Sequence, residues 1–309
     1  MVIPFRGLVM LLDYTGFLMK LVAPEPRSGE GGPVTAATLP RVAFERSMTL
    51  VAAPNLARIP AGDFLMGAAD AEADERPVHR VTVGEFLIGR FPVTNDEYAR
   101  FVRATGHPAP SVSELPLIAS GGRDDAFREL AAPYVWQDLH PPPAHGNHPV
   151  VLVRYADALA YCKWFSETIR RVVRLPTEAE WEKAARGGAE GNRYPWGNDF
   201  DPTCCSYLAD AAVKRQRGTR PTGTYPPNAY GLCDMIGNVW EWVSDWYSAD
   251  YYSLGDSLDP GGPPAGSLRI VRGGSWVTED ISMLRSSYRH KVPPDTYAYS
   301  VGFRIACAA

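Results

Sequence analysis

Apolar residues recur at helical spacing in one long stretch of the chain. Between Tyr155 and about Arg171, the apolar residues Ala156, Leu159, Ala160 and Trp164 follow one another at positions i, i+3, i+4 and i+8. This spacing places them on one face of a helix. The pattern therefore predicts an amphipathic helix over these residues.

Two further helices are predicted by their start signals. In a capping box, a threonine and a glutamate three residues later bond each other's backbone N–H groups. Thr94 and Glu97 start a helix that ends at Gly106, and Thr177 and Glu180 start one over 178–186 that Gly187-Gly188 halts.

The remaining pattern is that of short strands. Residues 41–52, 64–66 and 78–88 contain alternating or apolar runs, the last of them interrupted by a turn at Gly84. Beyond residue 187, Gly, Pro, Asn and aromatic residues dominate, which indicates short strands between long ordered loops. The expected class is α+β, with short irregular antiparallel sheets and few helices.

Three regions are expected along the chain. Residues 24–40 are rich in Pro, Gly and small polar residues, as in a linker between a short segment, 1–23, and a main domain, 41–309. Arg6, Asp13 and Lys20 interrupt the apolar start, so it is too polar for a membrane span, and it shows no signal-peptide h-region or cleavage site. We expect a docking or folded segment in a cytoplasmic protein.

Composition excludes several classes of protein. With 45% hydrophobic and 21% charged residues the chain is neither disordered nor membrane-spanning, and its 28 Gly and 28 Pro exclude a long-helix architecture. The net charge of -4 provides no basic stripe for a nucleic-acid backbone. Nucleic acid is therefore not an expected partner.

The five cysteines are Cys162, Cys204, Cys205, Cys233 and Cys307. They form no CxxC pair and no zinc-type spacing, so neither a disulfide framework nor a structural zinc is expected. The adjacent Cys204 and Cys205 leave open a strained vicinal disulfide or a soft-metal site, against two ordinary thiols in a turn.

Eight phrases in order resemble one known family. They are IPAGDFLMG, PVTNDEYARF, HPVVLVRYADALAYCKW, RLPTEAEWEKAARGG, YPWG, PPNAYGLCDMIGNVWEW, GGSW and VGFRIA, from about residue 57 to the end. The set is similar to the formylglycine-generating enzyme, or sulfatase-modifying factor, family, whose fold is a decorated C-type lectin fold. Members of that family include cysteine oxidases, inactive paralogues and the variable proteins of diversity-generating retroelements, so fold does not fix function.

The tryptophans and glutamates of these phrases have structural interpretations. A loop-rich fold needs bulky side chains between its segments, so we expect six tryptophans in the core: Trp164, Trp181, Trp196, Trp240, Trp242 and Trp276. Glu178 and Glu180 lie where a helix N-terminus stabilises carboxylates.

The stretch from Asp234 to Glu241 predicts a calcium site, because carboxylates and loop carbonyls are hard oxygen ligands. The family resemblance implies that the Asp234 and Glu241 side chains and the Gly237 and Val239 carbonyls bind the ion. The alternative is a turn without metal in which Asp234 caps backbone amides. A second family calcium site is doubtful, since residues 207–210 lack its Asn-Ile pair.

The chemistry of the family's oxidases is not expected. The resemblance implies two cysteines shortly after the GGS turn that bind copper(I), an ion that prefers thiolates. Residues 277–300 contain no cysteine, and Met283 alone cannot replace two thiolates. No copper is therefore expected, and formylglycine formation is disfavoured.

A histidine-bound metal is not expected either. His140, His145 and His148 lie in a loop rich in proline rather than on a helix face, and we interpret them as solvated or hydrogen-bonded side chains. The family resemblance also includes iron-dependent sulfoxide synthases, which take three iron-binding histidines from an additional helical domain. This sequence shows no pattern for such a domain.

Residues 277–300, here the C-terminal segment, remain as the candidate binding surface. Their Tyr, Ser and Ala content resembles a paratope, in which rigid aromatic side chains supply contact area. A strand is expected just before the GFR residues of the VGFRIA phrase. Alternate side chains of a strand point to opposite faces, so Tyr297 and Tyr299 are expected to share one exposed face. The predicted ligand-binding residues are Val277, Thr278, Asp280, Ser282, His290, Val292, Thr296, Tyr297, Ala298, Tyr299 and Ser300.

The sequence thus favours a non-catalytic protein that binds a protein or another macromolecule through this segment. The set most resembles retroelement variable proteins, whose variable sites usually derive from the asparagine codons AAC or AAT by changes at adenine. All eleven residues can arise in this way, whereas Glu279, Met283 and Lys291 cannot and would have to be fixed. The alternative is a sulfatase-modifying-factor-like oxidase or another metal-dependent enzyme.

Overall fold

The structure is a computed structural model that describes residues 4–5, 8–9, 55–112, 124–208, 218–255 and 257–309. It divides into two units, Met1–Thr49 and Leu50–Ala309. In the first, strands β1 (Pro4–Phe5) and β2 (Leu8–Val9) pair antiparallel. The rest of the expected segment 1–23, the linker 24–40 and the strand expected at 41–52 lie outside the described residues.

Four helices are described: α1 (Asn95–Thr105), α2 (Asp124–Ala131), α3 (Tyr155–Ile169) and α4 (Glu178–Arg186). The three predicted helices are confirmed, and both predicted capping boxes are formed. Helix α3 ends slightly before its predicted end, at a left-handed Arg170. Helix α2 was not predicted.

The strands form two four-stranded sheets and a hairpin. One sheet has the order β10-β9-β8-β11, from β8 (Trp240–Trp246), β9 (Arg269–Arg272), β10 (His290–Val292) and β11 (Val301–Phe303). The other has the order β3-β6-β12-β7, from β3 (Leu56–Ile59), β6 (Phe86–Gly89), β7 (Val173–Arg174) and β12 (Ala306–Ala308). Strands β4 (Gly62–Met66) and β5 (His79–Val83) pair with each other. Only β8 and β11 pair parallel among the described strands, so the expected class of short antiparallel sheets is confirmed.

The predicted tryptophan core is largely confirmed. Trp181, Trp240, Trp242 and Trp276 are buried, whereas Trp164 and Trp196 are half-buried and pack against the core. The buried Trp242 ring nitrogen donates to the Val153 carbonyl at 3.1 Å, as a buried indole requires a partner.

Close backbone packing explains the glycine at position 237. Gly237 has a φ of 78°, a conformation that residues with a Cβ rarely adopt. A Cβ there would also collide with the Ser206 carbonyl. This contact brings residues 206 and 237 together in a parallel bridge and fixes the path of the expected calcium loop.

Helix α4 is buried along its whole length, and its first backbone N–H is satisfied by a carboxylate from β8. Asp245 Oδ2 accepts hydrogen bonds from Glu178 N at 2.9 Å and from Ser244 Oγ at 3.0 Å. Burial, together with the nearby charge of Glu178, raises the pKa of Asp245 from 3.8 to about 7. The folded protein therefore holds a proton at pH values where the unfolded chain has released it.

This titration predicts the pH dependence of stability. As the pH rises from about 4 to 7, the free energy of unfolding of the wild type should fall relative to that of Asp245→Asn. Only the wild type has a carboxyl group at position 245 that titrates over this range. The limiting slope is about 1.4 kcal/mol per pH unit. Urea unfolding across this range measures it. The exposed Asp295→Asn serves as control, and parallel curves for wild type and Asp245→Asn would contradict the prediction.

Candidate ligand-binding segment and calcium loop

The C-terminal segment is irregular apart from two short elements. A 3-10 helix, Ile281–Leu284, begins where the Asp280 side chain accepts a hydrogen bond from Ser282 N at 2.8 Å, and β10 follows. Residues 297–300 form a loop and turn before β11. The expected strand through Tyr297 and Tyr299 is therefore wrong.

Burial divides the predicted ligand-binding residues. Asp280 is exposed, and a second group is partly exposed: Val277, Ser282, His290, Ala298 and Tyr299. A third group is buried: Thr278, Val292, Thr296, Tyr297 and Ser300. Thr278 Oγ1, for instance, accepts the Ser275 N–H at 3.0 Å within the GGSW turn, so its hydroxyl already has a structural role.

The expectation that Tyr297 is solvent-exposed is wrong: its exposed fraction is 3%. Helix α2 covers the ring, because Phe127 lies 6.4 Å from the Tyr297 ring and 5.4 Å from the Tyr299 ring, between centroids. The Arg154 guanidinium lies 5.0 Å from the centroid of the Tyr297 ring. Both neighbours come from distant parts of the sequence, which residue spacing within the segment does not reveal.

A row of stacked rings borders the partly exposed part of the segment. His290 stacks on Trp240 at 4.9 Å and on Tyr288 at 6.4 Å, between ring centroids. Burial, aided by Lys291, lowers the pKa of His290, so the ring is neutral at neutral pH. Strand β8 contributes Trp240 to this row, although the sequence indicated it only as a core residue.

The cysteines do not gather into a site. All five are free thiols, so the vicinal disulfide considered for Cys204 and Cys205 is absent. Burial raises the pKa of Cys162 to about 12 and, with nearby negative charge, raises the pKa of Cys204 and Cys233. Burial likewise raises the pKa of Cys307.

Two of the loop histidines are hydrogen-bonded. His148 Nδ1 contacts Thr219 Oγ1 at 2.9 Å and His145 Nδ1 contacts the Pro143 carbonyl at 3.0 Å. Burial and the neighbouring His145 lower the pKa of His148 to about 4. Within the described ranges, no three His, Cys, Asp or Glu side chains are arranged to hold a metal ion.

In the expected calcium loop, Asp234 has an unsatisfied oxygen. Its Oδ2 accepts the Gly223 N–H at 2.9 Å, while Oδ1 is buried without a hydrogen-bond partner. Burial raises the pKa of Asp234 to about 6, against the opposing effects of Gly223 and Arg304. A cation bound at Oδ1 would satisfy this oxygen and stabilise the charged carboxylate.

Glu241 is less available than Asp234. Its Oε2 accepts from Trp181 Nε1 at 2.8 Å and from Arg304 Nε at 2.6 Å, and its Oε1 accepts from Arg304 Nη2 at 2.7 Å. A carboxylate oxygen has two lone pairs, so Oε1 keeps one acceptor site. Of the two carboxylates, Asp234 is therefore the one with an oxygen left over for a cation.

Comparison with known proteins identifies the family. The model of the sulfatase-modifying factor enzyme 1-like domain matches residues 43–309. The chain belongs to the sulfatase-modifying factor family. Its fold is therefore the α+β C-type lectin fold of that family.

A relative named as a formylglycine-generating enzyme and one named as inactive are about equally similar to this chain. The formylglycine-generating enzyme of Streptomyces coelicolor is 37% identical over 281 residues, covering 81% of this chain and 88% of the relative. The inactive C-alpha-formylglycine-generating enzyme 2 of Bos taurus is 35% identical over 286 residues, covering 82% and 88%. Overall identity therefore does not decide between activity and inactivity.

Solved structures agree on the fold. PvdO from Pseudomonas aeruginosa has a TM-score of 0.69 at 28% identity, over 83% of this chain and 95% of its own. Treponema denticola variable protein 1 has a TM-score of 0.63 at 24% identity, over 82% and 95%. The family fold is thus shared with a variable protein.

Among the described helices, none has the length and apolar character to cross a bilayer.

The burial of Tyr297 predicts a structural role for this side chain. Tyr297→Ala should lower the free energy of unfolding by roughly 3 kcal/mol, because a large buried ring is replaced by a cavity. Urea unfolding measures the change. The exposed Glu279→Ala should shift it by no more than about 0.5 kcal/mol. If the two variants unfold alike, Tyr297 is not part of the core.

Proposed function

We propose that this family member binds a ligand through the accessible part of its C-terminal segment and does not oxidise cysteine by the family's copper chemistry. This proposal rests on where the cysteines lie in the sequence and on the raised pKa values of their thiols. No cysteine lies in 277–300, and the thiol pKa is raised at Cys162, Cys204, Cys233 and Cys307. A copper(I) site needs thiolates, which raised pKa values disfavour.

The surface available to a ligand is narrower than the segment. It consists of Asp280 and the partly exposed Val277, Ser282, His290, Ala298 and Tyr299, beside the stacked rings of Trp240 and Tyr288. Aromatic side chains with few rotatable bonds supply contact area at low entropic cost. This composition suits a protein or another macromolecule as the partner.

A retroelement origin is the finer form of this proposal. It is supported by the shared fold of the Treponema variable protein and by the residues of the segment, eleven of which can arise from asparagine codons by changes at adenine. The buried Thr278, Val292, Thr296, Tyr297 and Ser300 are unfavourable positions for variation. Such an origin is distinguished by a near-copy of the last hundred or so nucleotides of the gene, differing at adenines, beside a reverse transcriptase gene.

An oxidase of the family is the second candidate. Its support is the 37% identity to the formylglycine-generating enzyme of Streptomyces coelicolor over most of both chains. A direct assay separates the two candidates, since the oxidase must change the mass of a cysteine-containing peptide.

We therefore expect that a sulfatase-type peptide keeps its cysteine when incubated with the protein, oxygen, a reductant and copper. Without two thiolates in the segment, the substrate thiol has no copper(I) site to engage. Mass spectrometry of the peptide is the measurement. The Streptomyces relative is the positive control, and loss of sulfur with formation of an aldehyde would reject the proposal.

We also propose that the loop from Asp234 to Glu241 binds calcium. The buried, unpaired Asp234 Oδ1 supports this proposal, with Gly237 and Val239 able to supply carbonyl oxygens and Glu241 a free lone pair. The ion would supply no redox chemistry. It would neutralise the buried Asp234 charge and fix the loop.

Calcium should accordingly raise the melting temperature of the wild type, and a chelator should reverse the effect. A ligand that binds only the folded state adds about 2.7 kcal/mol at a hundredfold excess over its Kd. Asp234→Ala should lose the calcium-dependent shift, whereas Asp295→Ala should retain it. An unchanged shift in Asp234→Ala, or no shift in the wild type, would count against the site.

A further inference from the structure

A pocket of about 380 Å³ opens between the first two turns of α1, the start of β3 and Ile305. Its volume lies within the usual range for small-molecule sites, about 300–1,000 Å³. None of residues 277–300, all of which the structure describes, lines it. The pocket is therefore separate from the surface proposed above, and a test of it succeeds or fails independently of that proposal.

The floor of this pocket is apolar. Val93, Tyr161, Phe165 and Ile305 line it, and each is more than nine-tenths buried in the core. A dry cavity of about 150 Å³ accommodates benzene, so the pocket has room for an aromatic ring that carries a short polar chain. Burial of such a ring against the floor is favourable, because apolar surface is removed from water.

Two charged side chains of α1 line the pocket without pairing with each other. Asp96 and Arg100 are exposed and lie four residues apart, a spacing at which opposite charges on a helix can pair. Neither side chain has a hydrogen bond or an ion pair within the part of the chain that the structure describes. Asp96 instead packs against the loop beside α1, where a Cβ at Gly146 would lie 2.5 Å from Asp96 Oδ2. One negative and one positive charge are thus left for a ligand.

Glu97 is the one further charged residue among the described lining residues. Its Oε2 accepts hydrogen bonds from Thr94 N at 2.9 Å and from Thr94 Oγ1 at 3.0 Å, in the capping box of α1. With two acids and one arginine, the lining carries a net negative charge. It therefore attracts an ammonium group, while Arg100 attracts a carboxylate on the same ligand.

We infer that this pocket binds a free α-amino acid with a large apolar side chain. The ammonium group would bind Asp96, the carboxylate would bind Arg100, and the side chain would lie on the apolar floor. Asp96 and Arg100 are one helical turn apart, about 6 Å along the helix axis. An α-amino acid carries both of its charged groups on one carbon, so the long arginine side chain allows both contacts at once.

Isothermal titration calorimetry on the full chain tests this inference with three probes of similar size. They are L-phenylalanine, phenethylamine, which lacks the carboxylate, and 3-phenylpropanoate, which lacks the ammonium group. Phenylalanine should bind saturably and more tightly than either of the others. Asp96→Asn and Arg100→Gln should each weaken phenylalanine binding about fivefold or more, because each variant loses a hydrogen bond to a charged group.

Arg103→Gln and Asp295→Asn are the matched controls, since both residues are exposed and lie outside the pocket lining. Both variants should bind phenylalanine like the wild type. Thermal unfolding verifies that every variant is folded, as expected for exposed substitutions.

The inference is overturned by the absence of saturable phenylalanine binding, or by phenethylamine or phenylpropanoate binding as tightly as phenylalanine. It is also overturned if folded Asp96→Asn and Arg100→Gln bind phenylalanine like the wild type. Equal weakening by Arg103→Gln would overturn it as well, since the effect would then come from the overall charge of the protein.

Discussion

Two arginines buried with two glutamates hold the irregular segments of this protein together. Arg272 is fully buried and donates to Glu178 at 2.7 Å, to Glu182 at 2.6 Å and to the Ser286 carbonyl at 2.6 Å. Arg289 donates to both oxygens of Glu178. Although burial alone lowers the pKa of Arg272, the two glutamates raise it above its ordinary value. Removing one partner of such a group typically costs about 3–5 kcal/mol, because a buried charge is left unpaired.

The same network determines how much of the C-terminal segment a ligand can reach. Arg285 donates to Glu75 at 2.5 Å, Arg289 donates to the Asp74 carbonyl at 2.8 Å, and Lys291 contacts the Asp74 carboxylate at 2.9 Å. These contacts tie the middle of the segment to a 3-10 helix near the start of the domain. The main chain of the segment is thereby fixed, and only its outward side chains can differ without loss of stability.

Features that depend on residues close together in the sequence could be predicted from it, whereas features that depend on residues far apart could not. The helix starts at Thr94 and Thr177 were predictable, because each cap involves residues three apart. The burial of Tyr297 was not, because Phe127 covers it from a helix that the apolar pattern did not indicate. For Asp234, the sequence indicated an oxygen-rich loop, but only the fold shows that one oxygen is buried and unpaired.

The family resemblance is strong where the scaffold is built and uninformative where chemistry would occur. The phrases that carry the resemblance contain the buried Glu178, Glu182 and Trp181 and the GGSW turn, whose hydrogen bonds are structural. An active enzyme and an inactive paralogue therefore match the chain at 37% and 35% identity. Because fold alone does not fix function, the function proposed for this protein rests on residues 277–300 rather than on the scaffold, and these residues include no thiol.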